Sequence, residues 1–262
     1  GQCLLSPNLG GDDLAGFVTE RYAPSQMIVA AAGAVDHDAI VRMAEDLFGA
    51  IPARQSAIAS PAQFRGGEYR RAKALEQVHF ALALESPGYR DDDIYTSQIL
   101  ASALGGGMSS RLFQEAREKR GLCYSIFAQA GAYSDSGMMT IYAGTGADEI
   151  AGLAELTIDE LKRCADDMTP AEVARARTQM KAGLLMGLES PSSRAERIAR
   201  LLAIWDRVPD LDETVARIDA VTTGDVRALA AETAGAGGAA LALYGPVDKA
   251  PDHATLMARL AA

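Results

Sequence analysis

With 262 residues, 48% of them hydrophobic, the chain is long enough to fold as one large domain or two of ordinary size around a substantial core. Its 35 acidic against 25 basic residues leave a net charge of -10, which excludes a binder of phosphate backbones, because counterion release needs clustered Lys and Arg; nucleic acid is not an expected partner. No apolar run reaches the roughly 18 to 20 residues that cross a bilayer, and the first residues show no basic segment followed by an apolar one, so neither a membrane span nor an export signal is expected.

The three cysteines, Cys3, Cys123 and Cys164, are odd in number and far apart. Neither a disulfide framework nor a cysteine zinc cluster fits that spacing, and a reducing, cytoplasmic setting is the simpler expectation.

In chain order, an acidic start at Asp13 leads into an amphipathic helix, and the apolar run Met27–Ala32 reads as a strand. Gly33-Ala34-Val35-Asp36 follows, and Asp36-His37 opens a second short helix. The same succession returns at the far end of the chain. With Gly33 laid on Gly245, an offset of 212 (245 − 33), Asp13 falls on Asp225, Leu14 on Val226, Phe17 on Leu229, Val35 on Val247 and Asp36 on Asp248. An insertion then sets Asp36-His37 against Asp252-His253. One helix and one strand can align by coincidence in any protein that mixes them. Read as a repeat, each copy is about 210 residues, and the chain holds one whole copy preceded by the last quarter of another, lacking roughly 150 residues of that first copy. Residues 1–52 are then the truncated tail of a first half, 53–67 a linker, and 68–262 a complete second half.

The linker follows Pro52, contains Pro61, closes on Gly66-Gly67 and has no steady period. After it, Glu68–Arg71 and Val78–Leu84 read as strands and Asp92–Leu104 and Ser110–Lys119 as helices. Ser125–Tyr133 and Met138–Gly144 form a hairpin across Ser134-Asp135-Ser136-Gly137. Thr169-Pro170-Ala171-Glu172 is a strong helix start, with Thr as cap, Pro at the first position and Glu placed to complete a capping box. Val173, Ala176, Met180, Leu184 and Leu188 then share one face, as in a core helix. Runs of strands and runs of helices point to an α+β fold, an antiparallel or mixed sheet packed against helices.

Few residues suggest chemistry. The three histidines, His37, His79 and His253, include no pair at the i, i+4 spacing of a helical metal site. Glu76 and His79 make a lone Glu-x-x-His inside a strand-like run, where an offset of three points the side chains to opposite faces, so His79 reads as a sheet-surface residue. His37 and His253 read as solvated first-turn residues. Gly105-Gly106-Gly107 precedes a helix whose free N–H groups could hold an anion, but the Gly-Lys-Ser/Thr ending of a phosphate loop is absent. A turn that lets two elements pack closely is the plainer account. Nothing suggests a lowered pKa for Cys123.

The run Leu104–Phe127, LGGGMSSRLFQEAREKRGLCYSIF, resembles the signature of the second half of M16 peptidases. The resemblance extends through Glu76-Gln77-Val78-His79 and, upstream, Tyr22-Ala23-Pro24-Ser25-Gln26-Met27 with Gly33-Ala34-Val35-Asp36; Gly1–Gly11 departs from it. It is strongest with the bacterial, processing-peptidase-like branch. It implies two similar α+β halves that close like a clam shell around a peptide. The first half carries zinc on an inverted His-x-x-Glu-His motif that this sequence lacks. For the second half it implies a supporting role for Arg117 and Tyr124, reaching toward the substrate, with Gly105, Gly106 and Gly107 shaping the turn that sets their helix. From the residues alone, Arg117 is one charge among Glu115, Glu118, Lys119 and Arg120 on a solvated helix, and Tyr124 a core strand residue.

The expectation is therefore a substrate-binding, non-zinc portion of a zinc metalloendopeptidase, inactive alone, with no metal of its own. Its partners are a peptide substrate and a zinc-bearing half on the same or another chain. The alternative is a structural or partner subunit of the same fold, since the family also has non-catalytic members. A separated half exposes a large inner face and is expected to be able to form a homodimer.

Overall fold

The computed structural model describes residues 10–53, 60–236 and 238–262. Most of the divergent start, Cys3 and part of the expected linker lie outside the described residues. The chain forms two compact units, Gly1–Ser60 with Gly187–Val208, and Pro61–Met186 with Pro209–Ala262.

The second unit is built on a five-stranded mixed sheet with strands β1 (Gly67–Ala72), β2 (Val78–Ser86), β3 (Cys123–Ala132), β4 (Gly137–Thr145) and β5 (Ala239–Gly245) in the order β1-β5-β2-β4-β3. The last strand slots in between the first two, parallel to β1 and antiparallel to β2. Alternation decides which face is core. Val78, Phe80, Leu82 and Leu84 of β2, Met139, Ile141 and Ala143 of β4, and Leu241 and Leu243 of β5 are all buried. Each points to the face covered by helices α3 (Ile94–Gly105), α4 (Ile150–Asp167) and α8 (Thr223–Gly235), as period-2 side chains of a one-sided sheet must. Between α4 and α8 come α5 (Pro170–Gly187), α6 (Pro191–Trp205) and α7 (Leu211–Ala220), and α9 (His253–Ala261) closes the chain. The expected α+β class is what forms. Among the described residues no helix is long and apolar enough to cross a membrane.

The capping box before α5 is formed: Glu172 accepts from the Thr169 N–H and hydroxyl, and the Thr169 hydroxyl accepts from the Glu172 N–H. Val173 and Ala176 are buried and Met180 and Leu184 half-buried, so the apolar face is core at its start and thins along the helix.

The first unit holds α1 (Gly11–Arg21), α2 (His37–Phe48) and α6. The linear reading does not anticipate α6 grouping with the N-terminal segments. Met27–Ala32, expected as a strand, carries no ladder. Its backbone is extended at Met27, but a strand exists through pairing, and among the described residues no strand lies beside it. Two features of the aligned segments are nonetheless alike. Gly33 and Gly245 share a left-sided conformation, with φ of 119° and 123°, which glycine adopts at little cost. Asp36 caps α2 by accepting from the Ala39 N–H, and Asp252 caps α9 by accepting from the Thr255 N–H.

Candidate functional site

Arg111 begins the helical stretch after the glycine loop and anchors it. Its Nε and Nη2 donate to the two Glu172 oxygens at 2.7 and 2.9 Å, Nη1 pairs with the Asp167 carboxylate, and Nη2 also reaches the Asp167 carbonyl at 3.1 Å. The guanidinium fork is thus spent on two acids at the α4–α5 junction, and its side chain is only 9% exposed. Leu112 and Ala116 are buried beneath this stretch.

From Phe113 to Lys119 the stretch winds as a π-helix, where the spacing in the sequence predicts an ordinary helix. The wider i→i+5 closure is rare and tends to mark a place where side chains are re-aimed. Here the Arg117 guanidinium carbon lies 4.6 Å from the Phe113 ring centroid and 5.3 Å from that of Tyr124. Tyr124 owes its position to a β-bulge. Cys123 pairs with Thr145 and Ser125 with Gly144, leaving Tyr124 as the extra residue, and it stands 77% exposed. A cation thus rests against two aromatic rings, Phe113 half-buried and Tyr124 open to solvent, as quadrupole attraction favours. Arg117 also lies 3.9 Å from Glu118. The structure therefore brings Arg117 and Tyr124 together, and the core-strand alternative for Tyr124 does not describe it.

Gly105 ends α3 where the helix meets β3; a Cβ there would lie 2.3 Å from the Ala128 nitrogen. The next turn is tied down by Gln179, which donates to the Gly106 carbonyl at 3.2 Å, and by Arg175, which donates to the Ser109 carbonyl at 2.9 Å. Ser110 bonds back to the Gly107 carbonyl at 2.6 Å.

His79 lies half-buried on the sheet face opposite the core, its Nδ1 2.7 Å from the Tyr142 hydroxyl. Glu76 precedes β2 and does not join it. His253 is less solvated than expected, with Nε2 2.7 Å from the Ala239 carbonyl. Burial pushes the Cys123 thiol up, against a smaller opposing effect of Arg117, and pushes Cys164 up to about 12, so neither is poised as a thiolate. Among the described residues no group of three or more His, Cys, Asp or Glu is placed to hold a metal ion. These residues do not fit zinc.

Sequence reasoning missed Phe113, although its i, i+4 spacing to Arg117 was available as a signal. It also missed the gathering of Tyr142 and Tyr244 around His79, with Phe127 against Tyr142, which depends on strand register.

Residues 8–180 match the family model described as the peptidase M16 inactive domain. An "uncharacterized zinc protease" of Mycobacterium tuberculosis is 36% identical over 224 residues, covering 83% of this chain and 51% of that protein. Proteins with the same description from Streptomyces coelicolor (34%, 87% and 52%) and Bacillus subtilis (34%, 85% and 55%) are similar to it as well. The chain thus spans about half the length of these curated relatives. Among solved structures, a chain of complex III2 from Candida albicans superposes with a TM-score of 0.74 at 20% identity, over 86% of this chain and 56% of that one, a likeness of fold. With the signature run Leu104–Phe127 folded as the bulge and π-helix described above, and with two thirds of the sequence under one family model, the chain belongs to the M16 peptidase family and carries its inactive domain.

Proposed function

We propose that the chain is the substrate-binding, non-zinc portion of an M16-type zinc metalloendopeptidase, and that a zinc-bearing half, on the same polypeptide or another, completes the catalytic unit. The observation that carries this reading is the Phe113–Arg117–Tyr124 stack, which presents a guanidinium and an exposed phenol side by side on a rigid bulge. Both groups are donors suited to a peptide carbonyl, and both stabilise negative charge that grows on that oxygen when the carbonyl is attacked. Arg117 offers a fork of N–H groups, Tyr124 a single O–H, and Phe113 restrains the guanidinium between them. Zinc, when present in the other half, supplies Lewis acidity and an activated water. The names of the relatives and the chain's span of half their length support the division of labour. Residues 1–52, the N-terminal part of the first unit, are on this reading the tail of the zinc-bearing half, and α6, which groups with them, belongs to the second half. Two buried free cysteines in the described residues accord with a reducing compartment.

Zinc content and cleavage of a mixed peptide pool, measured on this chain and on the longer polypeptide that contains it, test the reading. Zinc and activity belong to the longer polypeptide only. There, Arg117→Ala and Tyr124→Phe lower kcat/KM by about 100-fold with zinc content unchanged. Stoichiometric zinc in this chain alone overturns the reading, and a longer polypeptide without zinc turns it to a partner subunit.

A further inference from the structure

Among the described residues, the sheet has a second face that no helix of its own unit covers. Register sets Arg71, Tyr244, His79, Gly144 and Ser125 in one row across all five strands, and Tyr69, Ala242, Ala81, Tyr142 and Phe127 in the next. The rings form a continuous patch. Phe127 lies 5.2 Å from Tyr142, and His79 lies 6.1 Å from Tyr142 and 6.2 Å from Tyr244, centroid to centroid. Lys73 holds its ammonium 5.6 Å above Tyr244.

The charges on this face run against those of the chain. The protein carries -10 overall, and several cations elsewhere pair with carboxylates, as Arg111, Arg163 and Arg259 do. Arg71 and Lys73 are exposed and, among the described residues, make no ion pair, Lys73 not even with Glu76 three residues on. Of the strand residues on this face only Glu85 is acidic, and it pairs with Met138 at the far end of β2. Two unpaired cations beside an aromatic patch complement a segment that offers carboxylates and apolar side chains. Five strands about 4.8 Å apart span about 19 Å, room for roughly six residues of extended peptide.

We propose that this face is a docking surface for an extended peptide segment with acidic side chains, which Arg71 and Lys73 read while Tyr244, Tyr142 and Phe127 pack its apolar residues. The inference rests on the peptide-binding reading above and names its substrate class.

The test is fluorescence anisotropy on this chain with labelled, acetylated and amidated decapeptides of one Phe and several Leu and Ala, carrying two Glu, two Gln or two Lys. Capped ends confine the charge to side chains. The Glu peptide binds roughly three- to tenfold tighter than the Gln peptide, and the Lys peptide binds weakest. The preference shrinks with added salt and disappears in the double variant Arg71→Gln, Lys73→Gln. Equal binding of Glu and Gln peptides, or a preference that survives the double variant, overturns the inference. The underlying reading is judged by Arg117→Ala: weakened binding of all three peptides upholds it even if the charge preference fails. Absence of binding by every peptide overturns both.

Discussion

Glu172 and Glu160 belong to one chain of charges, Glu172–Arg111–Asp167–Arg163–Glu160, and titrate in opposite senses. Burial pushes the Glu172 carboxyl up, but hydrogen bonds from Arg111 and Thr169 outweigh it and hold the group at about 2, against an ordinary 4.5. The folded form therefore prefers the carboxylate. Its contribution, about 3 kcal/mol, is complete above pH 4.5 and is lost as pH falls toward 2. Glu160 is buried with Oε2 unpartnered among the described residues, and burial raises its carboxyl despite Arg163. There the folded form prefers the proton, so the group becomes destabilising as pH rises through its folded value. Urea unfolding between pH 2.5 and 8 separates the two. Glu172→Gln lowers stability at pH 7 by about 2 kcal/mol and flattens the acid limb, whereas Glu160→Gln raises stability at pH 7 by about 1 kcal/mol. Equal midpoints for both variants and the parent at pH 7 would contradict this assignment.

At the scale of elements, the contact that places the site is α3 against β3. A Cβ at Gly105 would stand 2.3 Å from the Ala128 nitrogen, a backbone atom that cannot rotate away, so the helix must lift from the strand next to the bulge of Tyr124. Gly105→Ala is expected to cost about 1–3 kcal/mol in urea unfolding; parent-like stability would show that α3 moves freely there. That crossing was foreshadowed by the glycine run, and β2, β3, β4 and the Thr169–Glu172 cap were legible because each is decided by local alternation or local hydrogen bonding. Met27–Ala32 was read as a strand and is not one, since a period reports which face is apolar and not whether a partner strand exists. The π-helix was illegible for a related reason: over nine residues the apolar positions fit either closure. Arg117 stood out from Glu115, Glu118, Lys119 and Arg120 only through the family resemblance, because what distinguishes it is a stack made by a bulge and an altered helical turn.

At the scale of the molecule, the two copies of the repeated motif live in different surroundings. Val226 and Leu229 are 0% and 7% exposed in the sheet unit, while their counterparts Leu14 and Phe17 are each 57% exposed in the first unit. The same apolar stripe is core in one copy and surface in the other, which agrees with the proposal that residues 1–52 are the tail of another half. Apolar surface removed from water is worth about 25 cal/mol per Å², so α1 favours any partner that covers it. This chain is accordingly expected to self-associate in light scattering as concentration is raised over about a hundredfold range. Leu14→Asp with Phe17→Asp, both on exposed positions, keeps it monomeric over the same range without loss of helical signal. If residues 1–52 are the tail of a zinc-bearing half, as proposed, a polypeptide that carries that half buries the stripe and scatters as a monomer at concentrations where this chain does not. A monomeric chain at every concentration would mean that α1 is satisfied as it stands, and the reading of residues 1–52 as the tail of another half would lose its energetic basis.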